Sequence, residues 1–358
     1  MTRLKKYWVG VFLFLLVFAA NWFIAERERV EYWYAEGAYV YISSLLRWVF
    51  GSLPFSVGDI LYLLLIFLLI RWLVDFIQAM SRSSQKLKQV VLGLRQLIFL
   101  LVISWLVFHF LWGFNYYRQS IPDRFSLSKE KVTEAELVNF AHYSLVETNR
   151  YAKGRSNNYT DSSTASIFLA YDSLLKNHPS FKIVNHSYKP SLFGVIGNYM
   201  GYGGYYNPLT GEAQINDAMP PFLLPFIGLH EVAHQLGNAK ESEANFIGYL
   251  AAMHSADSSL LYSANLELFM YSVSALKRRD SVAVKKLFDM LSPIAKKDLK
   301  MYERFIQQYH GPVDQFVDYF YSGFLRFNNQ PEGMFAYNKG MIYVMRYLQK
   351  KGLLSRPL

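Results

Sequence analysis

Residues 7–25, YWVGVFLFLLVFAANWFIA, run without a single charge. A stretch this long crosses a hydrocarbon core of about 30 Å as a helix. Residues 57–78 repeat the pattern, with Arg71 near one end where its head can reach the interface. Residues 96–114 form a third apolar run, with His109 inside it, expected to make a polar contact between helices. Between the first two runs, residues 38–50 are amphipathic and suit a short helix lying in the membrane interface. Beyond residue 115 the apolar positions become periodic rather than continuous. Thr133 and Glu136 are spaced as a capping box, which predicts a helix to about residue 150. A polar loop over 151–163 precedes a second helix over 164–177. The stretch 181–217 reads as strand-rich, with FKIVNHSY and SLFGVIGNYM as candidate strands. There follow a glycine-rich turn and the short strand GEAQIN, 211–216. From residue 222 the pattern is almost wholly helical. The expected class is α+β: a membrane domain over 1–115 with three transmembrane helices, then an outer domain over 116–358.

Composition changes this picture in three ways. Hydrophobic residues reach 52% against 18% charged, and the excess lies in the three runs. Cysteine is absent, so disulfides and thiolate metal sites are excluded, and any metal must be held by His, Asp or Glu. The net charge of +10 is scattered rather than concentrated, which argues against a nucleic-acid partner and for a lipid bilayer. Arg3, Lys5 and Lys6 precede the first run, and the connection 81–95 carries Arg82, Lys86, Lys88 and Arg95 with no acid. Basic ends of this kind mark the cytoplasmic side, which places the N-terminus inside and the outer domain outside. A cleaved signal peptide is the rival reading of residues 7–25. Trp22 and Phe23 stand where such a site needs small residues.

The chemistry concentrates in residues 229–250, LHEVAHQLGNAKESEANFIGYL. His230 and His234 stand one turn apart on one helix face, a spacing that lets both reach one zinc at about 2.0–2.1 Å. Glu231 is turned about 100° from the first histidine, where it can accept a proton from a water on the metal. The flanking sequence is apolar, so the helix is buried, and two buried histidines with a glutamate need a partner. A hydrogen-bonded structural pair is the plain alternative.

A catalytic zinc wants a third protein ligand. Gly237 suits a helix stop, after which the chain can turn and open a new helix. Lys240 cannot ligate; Glu241 and Glu243 can. They lie about 200° apart on a helix and cannot both face one ion. Glu241 shares its face with Ala244, Asn245 and Gly248, small or polar residues that let two helices approach closely. Glu243 shares its face with Phe246, Ile247 and Leu250. Glu241 is favoured and Glu243 stays as the alternative. Asn245 is placed to hydrogen-bond the far nitrogen of a ligand histidine.

His230-Glu231-x-x-His234 followed by ESEAN, Glu241 to Asn245, resembles the gluzincin class of zinc metallopeptidases. The whole chain also resembles an uncharacterised family of bacterial three-span membrane proteins that share the HExAHQ and EAN motifs and a PFSVGD segment, 54–59 here. Many gluzincins place the third ligand further along the chain. The resemblance implies a zincin-like, mainly helical domain with a small sheet, one zinc ion per chain, and a periplasmic site on the bacterial inner membrane. It also implies an edge strand that pairs with an extended peptide substrate, a place that 211–216 would take; an ordinary hairpin through NPLTG is the rival. Tyr205, Tyr206 and Tyr337 are candidates for stabilising the oxyanion, and His254 and His310 read as structural or solvent-facing. The expected function is a membrane-anchored zinc metallopeptidase. A non-catalytic zinc-binding receptor or assembly factor is the alternative, and an intramembrane metalloprotease a more distant one.

Overall fold

The computed structural model describes residues 3–156, 161–179, 181–183, 185–277, 279–331 and 336–355; the side chains of 3–7, 161–163 and 336–338 lie outside that description. Helix α1 (Arg3–Ile24) is followed by the short α2 (Arg27–Arg29), a π-helical stretch (Val30–Ala38) and α3 (Tyr39–Phe50). Helices α4 (Val57–Arg82) and α5 (Lys86–Leu111) make an antiparallel hairpin. Both are long and apolar enough to cross a membrane. A third crossing is counted if α1 is taken with Arg27–Phe50, to which it is bent by 99°. Ser56 caps α4 by accepting from the Asp59 N–H, so the span starts where the apolar run does.

After a 3-10 turn (Gly113–Tyr117) and α6 (Ile121–Arg124) comes α7 (Glu134–Tyr151), with the Thr133–Glu136 capping box formed in both directions. Helix α8 (Asp161–Asn177) leads into β1 (Tyr188–Pro190), α9 (Gly194–Met200), β2 (Gly204–Asn207) and β3 (Glu212–Ile215). The candidate strand SLFGVIGNYM is therefore a helix for most of its length. A short apolar run has no decisive period, and Gly201, at φ +77°, ends the helix in the left-handed conformation that glycine accepts. FKIVNHSY contributes only its last residue to a strand.

The sheet order is β1-β3-β2, with β1 parallel and β2 antiparallel to β3. The segment 211–216 is therefore the middle strand, bonded on both sides and fully buried. It has no free edge for a substrate, and that expectation is corrected. Asn207 faces Glu212 across the NPLTG turn, so the hairpin alternative is the one that forms.

The helical half follows: α10 (Leu224–Gln235), α11 (Glu241–Met253), α12 (Ser258–Leu276), α13 (Ser281–Met290), α14 (Pro293–Tyr309), α15 (Pro312–Phe327) and α16 (Ala336–Lys350). Helices α10 and α11 are buried on nearly all sides, between the sheet, α8, α12 and α16. The close crossing depends on small residues. A β-carbon on Gly248 would stand 3.2 Å from the His230 nitrogen, and one on Gly340 2.7 Å from Asn245.

The apolar helices and the residues after 115 are joined by buried polar contacts. Glu31 accepts from Arg118 and from the Gln119 N–H. Arg47 is buried and donates to the Asn185 carbonyl at 2.6 Å. Glu212, paired with Lys189 at 2.6 Å, accepts from the N–H groups of Val57 and Gly58. That puts a carboxylate at the positive end of the α4 dipole.

Candidate metal centre

The C-terminal end of α10 is fixed by residues from the membrane segments. Tyr39 donates to the Gln235 carbonyl at 3.2 Å, and Arg118 donates to the carbonyls of Leu236 and Gly237, both at 3.1 Å. These are carbonyls that a helix end leaves unpaired. Gly237 takes φ +76° and reverses the chain, as its position predicts. Asn238 then accepts from the ring of His234, and α11 begins at Glu241.

The two histidine rings have their protons placed by their partners. His234 Nδ1 lies 2.7 Å from the Asn238 carbonyl oxygen. A carbonyl can only accept, so Nδ1 carries the proton and Nε2 keeps its lone pair. His230 Nδ1 lies 2.7 Å from Asn245 Oδ1, one turn into α11, which imposes the same tautomer. The two Nε2 atoms are 3.2 Å apart, and Glu241 Oε2 is 3.0 Å from the first and 3.7 Å from the second. Two nitrogen lone pairs and a carboxylate oxygen thus converge in a buried place. They repel one another unless a cation or a proton lies between them. Among the described residues, His230, His234 and Glu241 form a group whose ligand atoms all lie within 4.8 Å of one another. The His, His, Glu donor set suits a divalent ion of the zinc type.

Glu243 does not join this group. Its carboxylate is turned toward Lys240, 3.8 Å away, and into the field of Arg118 and Arg124. Burial lowers the Arg124 guanidinium to about 10, Arg118 adds to that effect, and Glu31 and Glu243 oppose it. The half-turn between the two acids therefore sends one to the histidines and the other to the arginines.

Glu231 is buried, and its Oε2 has no hydrogen-bond partner among the described residues. Its side chain lies against β2. A β-carbon on Gly204 would come within 2.8 Å of Glu231 Cγ and 2.9 Å of Oε1. Burial pushes this carboxyl up to about 8, with His230 pulling it down and Glu241 pushing it up. Burial works against ionisation of Glu241, but a proton on the Nε2 atoms of the two histidines, or a cation in its place, holds this carboxyl well below the ordinary carboxylate range.

The candidate tyrosines fall elsewhere. Tyr205 donates to Asp59 at the start of α4 and stacks on Tyr62. The Tyr206 hydroxyl is shared with Tyr39 at 3.2 Å, and its ring lies against Trp112. Both hydroxyls serve the join between membrane segments and sheet. The Tyr337 side chain lies outside the described residues. Among the described residues, Tyr321 of α15 reaches the centre, donating to Glu241 Oε1 at 2.7 Å. Nothing in its local sequence signals this, because the contact spans the whole helical half of the domain. Glu267 and Tyr271 of α12, hydrogen-bonded to each other, are a further pair that the sequence does not signal; burial raises the Glu267 carboxyl to about 7, with Tyr271 opposing it. His109 bonds back to the Trp105 carbonyl of its own helix at 3.0 Å, among aromatic rings, rather than across to another helix. His254 bonds the Leu250 carbonyl and His310 pairs with Asp314.

A family model described as a protein of unknown function, DUF3810, matches residues 34–345. The chain belongs to the DUF3810 family. The matched region begins in the π-helical stretch and ends in α16, so it takes in α4, α5 and the His-His-Glu group. No curated protein and no solved structure matches the chain.

Proposed function

We propose that this protein is a membrane-anchored metallopeptidase with a zincin-like outer domain, holding one zinc ion per chain on His230, His234 and Glu241. The observation that carries the reading is the convergence of the three ligand atoms beside a buried carboxylate with a free oxygen, that of Glu231. A zinc ion there would supply a Lewis acid that polarises a carbonyl and makes water more acidic. Glu231 takes a proton from the attacking water as its oxygen bonds to the peptide carbon. It returns the proton to the amine nitrogen as the carbon–nitrogen bond breaks. Asn245 and the Asn238 carbonyl hold the histidine tautomers, and Tyr321 holds Glu241. Strand β2, which lies against Glu231 through Gly204, is the strand along which an extended peptide would be laid. The basic flanks of the spans favour a periplasmic site.

The test uses the full chain in detergent. Wild type is expected to bind about one zinc per chain. His230→Ala and Glu241→Ala lose the metal, and Glu243→Ala keeps it. Glu231→Gln keeps the metal and loses peptide hydrolysis by at least about a hundredfold. Wild type that binds no metal while folded sinks the reading. Hydrolysis that persists undiminished in Glu231→Gln sinks its mechanism, and a metal-loaded protein with no hydrolysis in any form points to the non-catalytic alternative.

A further inference from the structure

Two helices beside the spans carry large apolar side chains that stay exposed. Helix α9 and the turn before it expose Leu192, Val195, Ile196 and Tyr199. Helix α15 exposes Val313, Phe316, Tyr319, Phe320 and Phe327, with Phe316 64% and Phe327 70% accessible. The two helices pack side by side, so these residues form one ridge. Contiguous apolar surface of this kind marks a membrane or protein interface.

The position of the ridge decides between them. The Leu192 N–H donates at 2.6 Å to Asp59, in the first turn of α4. The Phe324 ring of α15 lies 5.9 Å from Phe108, in the last turn of α5. The start of α4 and the end of α5 are the same end of the hairpin, so the ridge flanks the point where both spans leave the outer domain. The spans are apolar and exposed along their lengths, and the ridge shares that character beside their ends. Tyr199 of α9 also meets Tyr309 of α14, the helix whose Lys297, Lys300 and Arg304 line a cleft of about 560 Å³ with Met219, Pro221 and Phe305. Three cations beside an apolar ridge are placed as basic side chains are at a headgroup layer.

We propose that α9 and α15 are seated in the bilayer leaflet from which α4 and α5 emerge, with Lys297, Lys300 and Arg304 against anionic headgroups. Tyr321, next in the chain to Phe320 and turned about 100° from it, donates to Glu241, so one side of α15 meets the His-His-Glu group while another carries the ridge. The seating does not depend on the peptidase reading.

The chain has no cysteine, so single spin labels can be placed without background. The full chain would be reconstituted in vesicles of phosphatidylethanolamine and phosphatidylglycerol, with labels at Phe316→Cys, Phe320→Cys and Ile196→Cys. Leu65→Cys in α4 and Lys286→Cys on the exposed side of α13 are the references. The ridge labels are expected to collide with oxygen in preference to a water-soluble nickel chelate, as Leu65→Cys does. Nickel accessibility equal to that of Lys286→Cys overturns the proposal. So does shielding from both reagents, which would mean that protein covers the ridge; spin–spin broadening that fades on dilution with unlabelled chain would identify a second copy.

Discussion

At the scale of single residues, a glycine and a carboxylate make the sharpest statements. Gly204 leaves the space that the Glu231 side chain occupies. Gly204→Ala is expected to displace that carboxylate while leaving the ligand group intact, so bound zinc should be retained and turnover should fall about tenfold or more. Parallel metal and activity measurements check this. Glu136 in α7 shows a different effect. Burial tends to raise its carboxyl, but the Thr133 N–H, Arg346 and Gln349 bring it down to about 2 from the ordinary 4.5. A carboxyl depressed in the folded state stabilises fully above about pH 4.5, and the contribution is lost as the pH falls toward 2. Glu136→Gln should therefore destabilise by about 1–3 kcal/mol at neutral pH. The gap to wild type should narrow in acid, as denaturant unfolding at a series of pH values would show.

At the scale of elements, the reversal between α10 and α11 is what turns a two-histidine helix into a three-ligand group. Gly237 sits at φ +76°, and a β-carbon there would stand 2.8 Å from Asn115 Oδ1 and 3.1 Å from Arg118 Nη1. Gly237→Ala meets both the left-handed backbone cost and that crowding. A loss of about 1–3 kcal/mol is expected, with weaker zinc retention, because the cap of α10 and the start of α11 move together. Thermal unfolding with and without a chelator would measure both. The substitution is expected to disturb α10 and α11 first, which hydrogen exchange along those helices would resolve.

At the scale of the molecule, the division at residue 115 cuts through a buried interface. The fragment 116–358 loses Glu31 from Arg118, Arg47 from Asn185, and Tyr39 and Trp112 from the end of α10. A buried charge left without its partner costs about 3–5 kcal/mol, against a total stability of about 5–15 kcal/mol. The fragment is expected to unfold well below the full chain in detergent, in a melt followed by circular dichroism. A fragment as stable as the whole would show that these contacts join two independent units. The same contacts fix how the residues after 115 sit on the helices before it.

The sequence by itself determined the elements whose causes are local: the apolar runs, the capping box of α7, the stop at Gly237, and the pairing of His230 with His234 by helical spacing. It showed that Glu241 and Glu243 cannot share one ion and favoured Glu241, since a turn of about 200° and the character of the neighbouring residues are legible along one helix; the tertiary structure places Glu241 with the histidines. The middle place of β3, the helical state of Gly194–Met200, the engagement of Tyr205 and Tyr206 with the membrane segments, and the arrival of Tyr321 at Glu241 were decided by tertiary structure alone. Each depends on contacts between residues far apart in the chain. A period or a cap is fixed by neighbours within a turn or two, whereas which strand lies in the middle, and which of many tyrosines meets a given carboxylate, is fixed only when the helices and the sheet close on one core.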